Sequence, residues 1–152
     1  MIMTVEGDVL QYDGIIVHGC NAHGVMGAGI AAQVKKQYPG AFEEYLKDLT
    51  LGNITTYKIS DTKFIVNAIT QQSTGFGKQV SYDAIESCFQ KVNKLALQLN
   101  KELDIEKSEI QRIPVSFPAI GAGLGGGNWK IIEKIIDETL DDSLIKVLYI
   151  YG

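Results

Sequence analysis

Little in this sequence points to a fold held by covalent or metal staples. It has two cysteines, Cys20 and Cys88, two histidines and three prolines among 152 residues. The cysteines stand in no metal-like spacing; two thiols can pair, but a reduced chain is the simpler reading. No spacing of His, Cys, Asp or Glu asks for a metal, and no cofactor is expected. No apolar run approaches the roughly 20 residues of a membrane helix. The opening Met1-Ile2-Met3-Thr4-Val5-Glu6-Gly7-Asp8 lacks the basic and apolar regions of a signal peptide, so the expected location is cytoplasmic and no membrane partner is expected. Positive charge is also scarce. Lys and Arg number 14 against 18 Asp and Glu, a formal net charge of −4. That argues against nucleic acid as a partner, which needs a basic face. An anionic small molecule would have to be held by backbone N–H groups and helix ends.

Against these scarcities the chain is 45% hydrophobic and carries 16 glycines. Its length suits one globular domain over residues 1–152, with roughly two-thirds of the unfolded surface buried. Residues 2–5 read as a short strand closed by Glu6-Gly7-Asp8. Gly14 to Cys20 is a compact β-branched run, as expected of a strand buried on both faces. Ile30, Val34 and Tyr38 mark a helix that Pro39-Gly40 interrupts, and Phe42, Tyr45, Leu46 and Leu49 mark another. Ile54–Ile59 and Lys63–Ile69 read as two strands meeting at Ser60-Asp61-Thr62. After a polar loop at 70–80, Tyr82, Ile85, Phe89, Val92, Ala96, Leu99 and Leu103 recur at helical steps, with Ser81 placed to cap. Lys101 to Gln111 reads as a solvated helix end and loop. Ile113–Phe117 is a strand with Pro114 at its start, because proline cannot donate to a ladder. Ile132, Ile135, Ile136 and Leu140 form a last helix stripe, and Leu144–Tyr151 a closing strand. The alternation predicts an α/β fold with a largely parallel sheet and helices on its faces.

Two glycine-rich loops each follow a strand and precede a helix: Asn21 to Gly29, and Gly121 to Gly127, where five of seven residues are glycine. Such loops bury little surface and cost much conformational entropy, so packing alone does not account for them. Bare N–H groups there, with Asn128 capping the next helix, suit phosphate. Gly121-Ala122-Gly123-Leu124-Gly125-Gly126 also matches the dinucleotide G-x-G-x-x-G. However, only one strand follows it, no acidic residue ends that strand, and the P-loop Gly-Lys-Ser/Thr is missing.

The ordered set of motifs resembles the macro domain family. Gly7-Asp8-Val9 is similar to its early Gly-Asp element. His18-Gly19-Cys20-Asn21 with Gly27-Ala28-Gly29-Ile30-Ala31 resembles its first ligand loop, and Ile120 to Gly126 its phosphate-holding loop. The resemblance spans essentially the whole chain. It implies a three-layer α/β/α macro domain with a central mixed, largely parallel sheet. It also implies a small-molecule ligand, ADP-ribose or its 1″-phosphate. Asp8 and Val9 would take the adenine side. Gly27, Ala28, Gly29 and Ile30 would hold phosphate, together with Gly121, Ala122, Gly123, Leu124, Gly125 and Gly126. Tyr151 would stack on adenine.

Ser81-Tyr82-Asp83-Ala84-Ile85 resembles the branch that hydrolyses ADP-ribose 1″-phosphate, which implies a catalytic Asp83. Asp83 lies one residue off the apolar stripe, where the helix dipole favours a carboxylate. By position alone it reads first as an acidic residue stabilising its own helix start. Asn21 and His23 are the other catalytic candidates, near the distal ribose. Asn21 also fits a simple Asx turn, Asp8 a plain turn, and His23 a solvated loop histidine. His18, in a buried strand, reads as a hydrogen-bonded core residue. Trp129 reads as packing or as a wall of the distal pocket, Tyr151 alternatively as surface cover, and Cys20 and Cys88 as small buried hydrophobes. The branch that cleaves ADP-ribose from acidic side chains carries a lysine early in the mid-chain loop and an aspartate after Gly-x-Gly-Leu. Here those places read Gln71-Gln72 and Gly125, with Lys78 lying later, which argues against lysine-based covalent chemistry. The expected activity is phosphate removal from ADP-ribose 1″-phosphate. The alternatives are binding of ADP-ribose or a related NAD-derived nucleotide without turnover, and ADP-ribosyl hydrolysis on a modified macromolecule.

Overall fold

The two longest stretches of buried β-branched sequence become neighbouring strands at the heart of a sheet. The computed structural model describes residues 1–73, 80–106, 112–122 and 126–151, with the backbone alone for 104–106. The loop core at 74–79 with Lys78, the charged segment 107–111, and Gly123, Leu124 and Gly125 lie outside the described residues. Elements run β1 (Met3–Glu6), a 3-10 turn (Val9–Gln11), β2 (Gly14–Asn21), α1 (Gly29–Gln37), α2 (Pro39–Tyr45), β3 (Ile54–Ser60), β4 (Lys63–Gln71), α3 (Tyr82–Glu106), β5 (Val115–Phe117), α4 (Trp129–Thr139) and β6 (Lys146–Ile150). Among the described residues the sheet order is β1-β6-β5-β2-β4-β3. All neighbours pair in parallel except β3, which runs antiparallel to β4 through the expected turn. This is the mixed, largely parallel sheet expected of an α/β/α fold.

Alternation along β2 divides the core. Ile15 and Val17 point to one face, where α3 and α4 deliver Ile85, Phe89, Val92, Ile132 and Ile136. Ile16 and Cys20 point to the other, covered by Val34 of α1, Ala41 and Tyr45 of α2, and Val9 and Leu10 of the 3-10 turn. Both cysteines are free and buried, as read from the sequence.

Several boundaries differ from the pattern reading by a residue or more; β5, for one, begins at Val115, after Pro114, rather than at Ile113. α2 begins at Pro39 rather than near Phe42, because a proline at the first helical position loses no needed donor. β6 begins at Lys146, two residues later than expected, and this lysine is 1% exposed. Its Nζ donates to the Asp137 carbonyl at 2.9 Å and to Asp137 Oδ1 at 3.0 Å, in the last turn of α4. The ammonium therefore sits at a helix carboxyl end, where the dipole favours a cation.

Candidate functional site

Parallel pairing sends the carboxyl ends of five strands to one edge of the sheet, the edge at which open α/β sheets take ligands. Gly7-Asp8 leaves β1 there, Asn21 ends β2, Gln71 ends β4, Phe117 ends β5, and Tyr151 follows β6. α1, α3 and α4 start from the same edge.

The three helix starts differ. Ser81 Oγ accepts the Ala84 N–H at 3.1 Å and caps α3. Asn128 Oδ1 accepts the Lys130 N–H at 2.9 Å and caps α4. Both caps follow the sequence expectation. α1 begins after Ala28, which has no side-chain oxygen, and no side chain caps it. Its first intrahelical donor outside the cap is Ala32, bonded to the Ala28 carbonyl at 3.3 Å. The amides of Gly29, Ile30 and Ala31 are therefore the orphan donors of its first turn. Gly29 has φ +58°, and Gly27, Ala28 and Gly29 are all exposed. Among the described residues no side chain caps the positive end of this helix, which lies at the ligand edge.

Just before it, Asn21 closes a tight turn. Its Oδ1 accepts the His23 N–H at 2.9 Å, and its Nδ2 donates to the Val25 carbonyl at 2.7 Å. The hydroxyl of Tyr45, at the end of α2, lies 2.6 Å from the Asn21 carbonyl and 2.9 Å from its Oδ1, and accepts the Gly24 N–H at 3.1 Å. Burial pushes the Tyr45 phenol up to about 12, with the Cys20 thiol adding to the effect, so it remains a donor. The pattern reading treated Tyr45 as one more apolar helix position. Its hydroxyl, 24 residues from Asn21, carried no local signal.

The second loop is shaped by crowding. Gly121 and Gly126 take φ +74° and +72°, and the Gly127 N–H returns to the Gly121 carbonyl at 2.7 Å. A Cβ at Gly121 or Gly127 would stand 2.7 Å from a methyl of Val80. These glycines are thus required by close packing and backbone shape. Of the phosphate-loop candidates, Gly121 and Ala122 are half-buried and Gly126 is exposed. Gly123, Leu124 and Gly125 are not among the described residues. The Tyr82 hydroxyl accepts the Asn128 N–H at 3.1 Å, joining the start of α3 to the cap of α4.

Asp83 is exposed in the first turn of α3, and His23 is exposed in the 21–25 turn. Among the described residues no hydrogen bond joins Asp83 to Asn21 or His23. Asp8 accepts the Leu10 N–H at 3.0 Å and caps the 3-10 turn, while the side chain of Val9 enters the core. The Gly7 N–H donates to the Ile150 carbonyl at 2.9 Å, so Asp8 sits beside the end of β6. Tyr151 is 75% exposed there. The aromatics packed nearby include Tyr12, whose ring lies against Gly7, and Tyr149, stacked on it with centroids 5.2 Å apart. Pattern reading passed over this pair, which only the Val5–Tyr149 register brings beside Gly7. Trp129 packs at 6.4 Å on Phe117.

His18 is fully buried, and its Nε2 donates to Asn67 Oδ1 at 2.6 Å. Burial lowers its pKa to about 4, against the opposing pull of that hydrogen bond. It is the neutral core histidine expected. Burial also pushes the thiols of Cys20 and Cys88 up, away from the thiolate a nucleophile needs.

Set against known proteins, residues 17–136 match the profile of the macro domain family. An uncharacterized 17.5 kDa protein of Enterobacteria phage T4 is 30% identical over 149 residues, covering 90% of this chain and 88% of its own. An ADP-ribose 1″-phosphate phosphatase of Candida albicans is 25% identical over 150 residues, covering 91% and 93%. A DNA ADP-ribosyl glycohydrolase of Mycobacterium tuberculosis is 32% identical over 137 residues; the match takes in 88% of this chain but 37% of that protein. A Bacteroides thetaiotaomicron protein of unknown function superposes with a TM-score of 0.82 at 25% identity, over 100% of this chain and 98% of that one. A macrodomain protein from Streptomyces coelicolor superposes with a TM-score of 0.76 at 25% identity, over the full length of both.

Proposed function

The chain belongs to the macro domain family, and we propose that it is a hydrolase that binds ADP-ribose across the carboxyl edge of its sheet and removes the terminal phosphate of ADP-ribose 1″-phosphate. Residues 1–152 form one macro domain in this reading, and the protein works in the cytoplasm. The observation that carries it is the open start of α1. Three orphan amides at Gly29–Ala31, preceded by exposed Gly27 and Ala28, give an anion a seat that needs no lysine or arginine. The second glycine loop would take the other side of the diphosphate. Asp8 and Tyr151 would meet the adenosine end.

In the reaction, a water oxygen attacks the terminal phosphorus and the bond from phosphorus to the O1″ oxygen breaks, giving ADP-ribose and inorganic phosphate. Asp83 accepts the proton of the attacking water. His23 supplies a proton to the departing oxygen, and Asn21 shapes the turn that carries His23 at the distal ribose end. Backbone donors stabilise the charge that builds on the phosphoryl oxygens. The names of the Candida albicans relative and of other yeast relatives support this substrate.

The identity to DNA ADP-ribosyl glycohydrolases favours a second reading, in which the same edge releases ADP-ribose from modified DNA. The test is phosphate release from ADP-ribose 1″-phosphate, run beside ADP-ribose release from ADP-ribosylated DNA. Wild-type protein should release phosphate, and Asp83→Ala should slow it at least a hundredfold. No phosphate release with ADP-ribose binding intact would leave a binder, or the DNA reading if that arm is active. Undiminished release by the variant would remove Asp83 from the mechanism.

A further inference from the structure

We propose that Tyr45 is the positioning residue for the distal end of the ligand site, acting through the 21–25 turn rather than by touching ligand. This rests on the ADP-ribose reading above. The argument starts from the anchoring of α2. Asn67, a fully buried residue of β4, donates from Nδ2 to the Ala41 carbonyl at 3.0 Å and so fixes α2 on the sheet. Tyr45, fully buried at the end of α2, then reaches out of its own helix into the turn. Its single hydroxyl serves the Asn21 carbonyl, Asn21 Oδ1 and the Gly24 N–H, three groups of one five-residue loop. The next residues of the α2 end support the same turn. A Cβ at Gly24 (φ +80°) would stand 3.2 Å from Leu46 Cδ2 and 3.4 Å from Leu49 Cδ1.

Beyond the turn, Met26 is buried at 3% exposure, and Val34 of α1 is fully buried. The exposed stretch Gly27-Ala28-Gly29 is therefore a short span between two fixed points. Met26, the first of them, directly follows the 21–25 turn that the Tyr45 hydroxyl clasps. Both polar groups of the Asn21 side chain are engaged inside the turn, so its part in the site is to set the shape of the turn that presents His23 and aims the open amides. Removing the phenol oxygen takes away the acceptor of the Gly24 N–H and a donor to the Asn21 carbonyl and Oδ1 at once.

Tyr45→Phe keeps the packing and deletes one oxygen. The dissociation constant for ADP-ribose should rise about tenfold, while that for AMP, which lacks the distal ribose, stays within about twofold. Hydrogen exchange at the Gly24 and Val25 amides should quicken while exchange in β2 and β4 does not. A global loss of stability would move both ligands together; equal losses, or no loss for ADP-ribose, overturn the proposal. If wild-type protein does not bind ADP-ribose, the ligand reading falls, and unchanged exchange at Gly24 then removes the positioning role separately. Should Tyr45→Phe not fold, 3-fluorotyrosine at position 45 supplies the answer by fluorine NMR. Its resonance should shift on adding ADP-ribose and not on adding AMP, and a resonance blind to ADP-ribose overturns the proposal.

Discussion

Asn21 and His18 lie three residues apart on one strand and show how burial sorts polar side chains. Asn21 ends β2 and spends its amide on a turn; His18 is sealed within the sheet with Asn67 as its partner. The histidine makes stability depend on pH with a defined sign. Its imidazole titrates near 6.5 in the unfolded chain and near 4 in the fold. Between those values only the unfolded chain takes up the proton, so stability is complete above about pH 6.5 and falls as pH drops towards 4. The loss should reach roughly 2 kcal/mol by pH 5. Asp48, Asp137 and Asp141 are held below 3.8 by hydrogen bonds, led respectively by the Thr50 backbone, the amino terminus and the Ser143 side chain, and keep their contributions until lower pH. Urea unfolding at pH 7.5 and pH 5 should show this slope in the wild type and a flatter one in His18→Gln. Equal slopes would mean that His18 is not the group responsible. The apolar neighbours of His18 made its burial legible in the sequence. Its partner was not, because Asn67 lies 49 residues away and is aligned only by the β2–β4 register.

At the scale of elements, the informative contrast is between capped and uncapped helix starts. Ser81 and Asn128 each precede a helical stripe with a hydroxyl or amide in reach of the first turn, and both caps formed as the pattern predicts. Ala28 holds the extended backbone of a cap residue, φ −146° and ψ 158°, with no oxygen to use. Ala28→Ser should therefore stabilise the protein by about 1 kcal/mol. The same serine would occupy an amide that a phosphate needs, so ADP-ribose should bind more weakly. Thermal unfolding and calorimetry on the variant check the two halves, and a gain in stability without loss of affinity would dissociate α1 from the ligand site. Element boundaries were less legible than element types. The Leu144 to Tyr151 run reads as strand throughout, but the backbone joins the ladder only at Lys146. Leu144 instead closes a turn, its N–H donating to the Asp141 carbonyl at 3.0 Å, and Lys146 reaches the end of α4, a contact between elements that no local pattern encodes.

For the whole molecule, the proposed function uses five parallel strands ending at one edge, with helices leaving it on both faces. A ligand spanning that edge would touch the ends of β1, β2, β5 and β6 together, and so would bind only the folded chain. ADP-ribose at a hundred times its dissociation constant should add about 2.7 kcal/mol of stability. For a chain of this size that is a rise of roughly 5–10 °C in melting temperature. A melting temperature that does not move at saturating ligand would contradict binding across the edge.

The order of strands and helices, the two buried β-branched strands, the caps at Ser81 and Asn128, and the two glycine loops were determined by the amino-acid sequence alone. Each depends on interactions within a few residues, where periodicity and side-chain chemistry are sufficient. The Tyr45 clasp on the Asn21 turn, the His18–Asn67 pair, the Tyr12–Tyr149 stack and the burial of Lys146 were decided only by the tertiary structure. These contacts join residues brought together by sheet register and layer packing. Their geometry exists only once the layers have closed on one another.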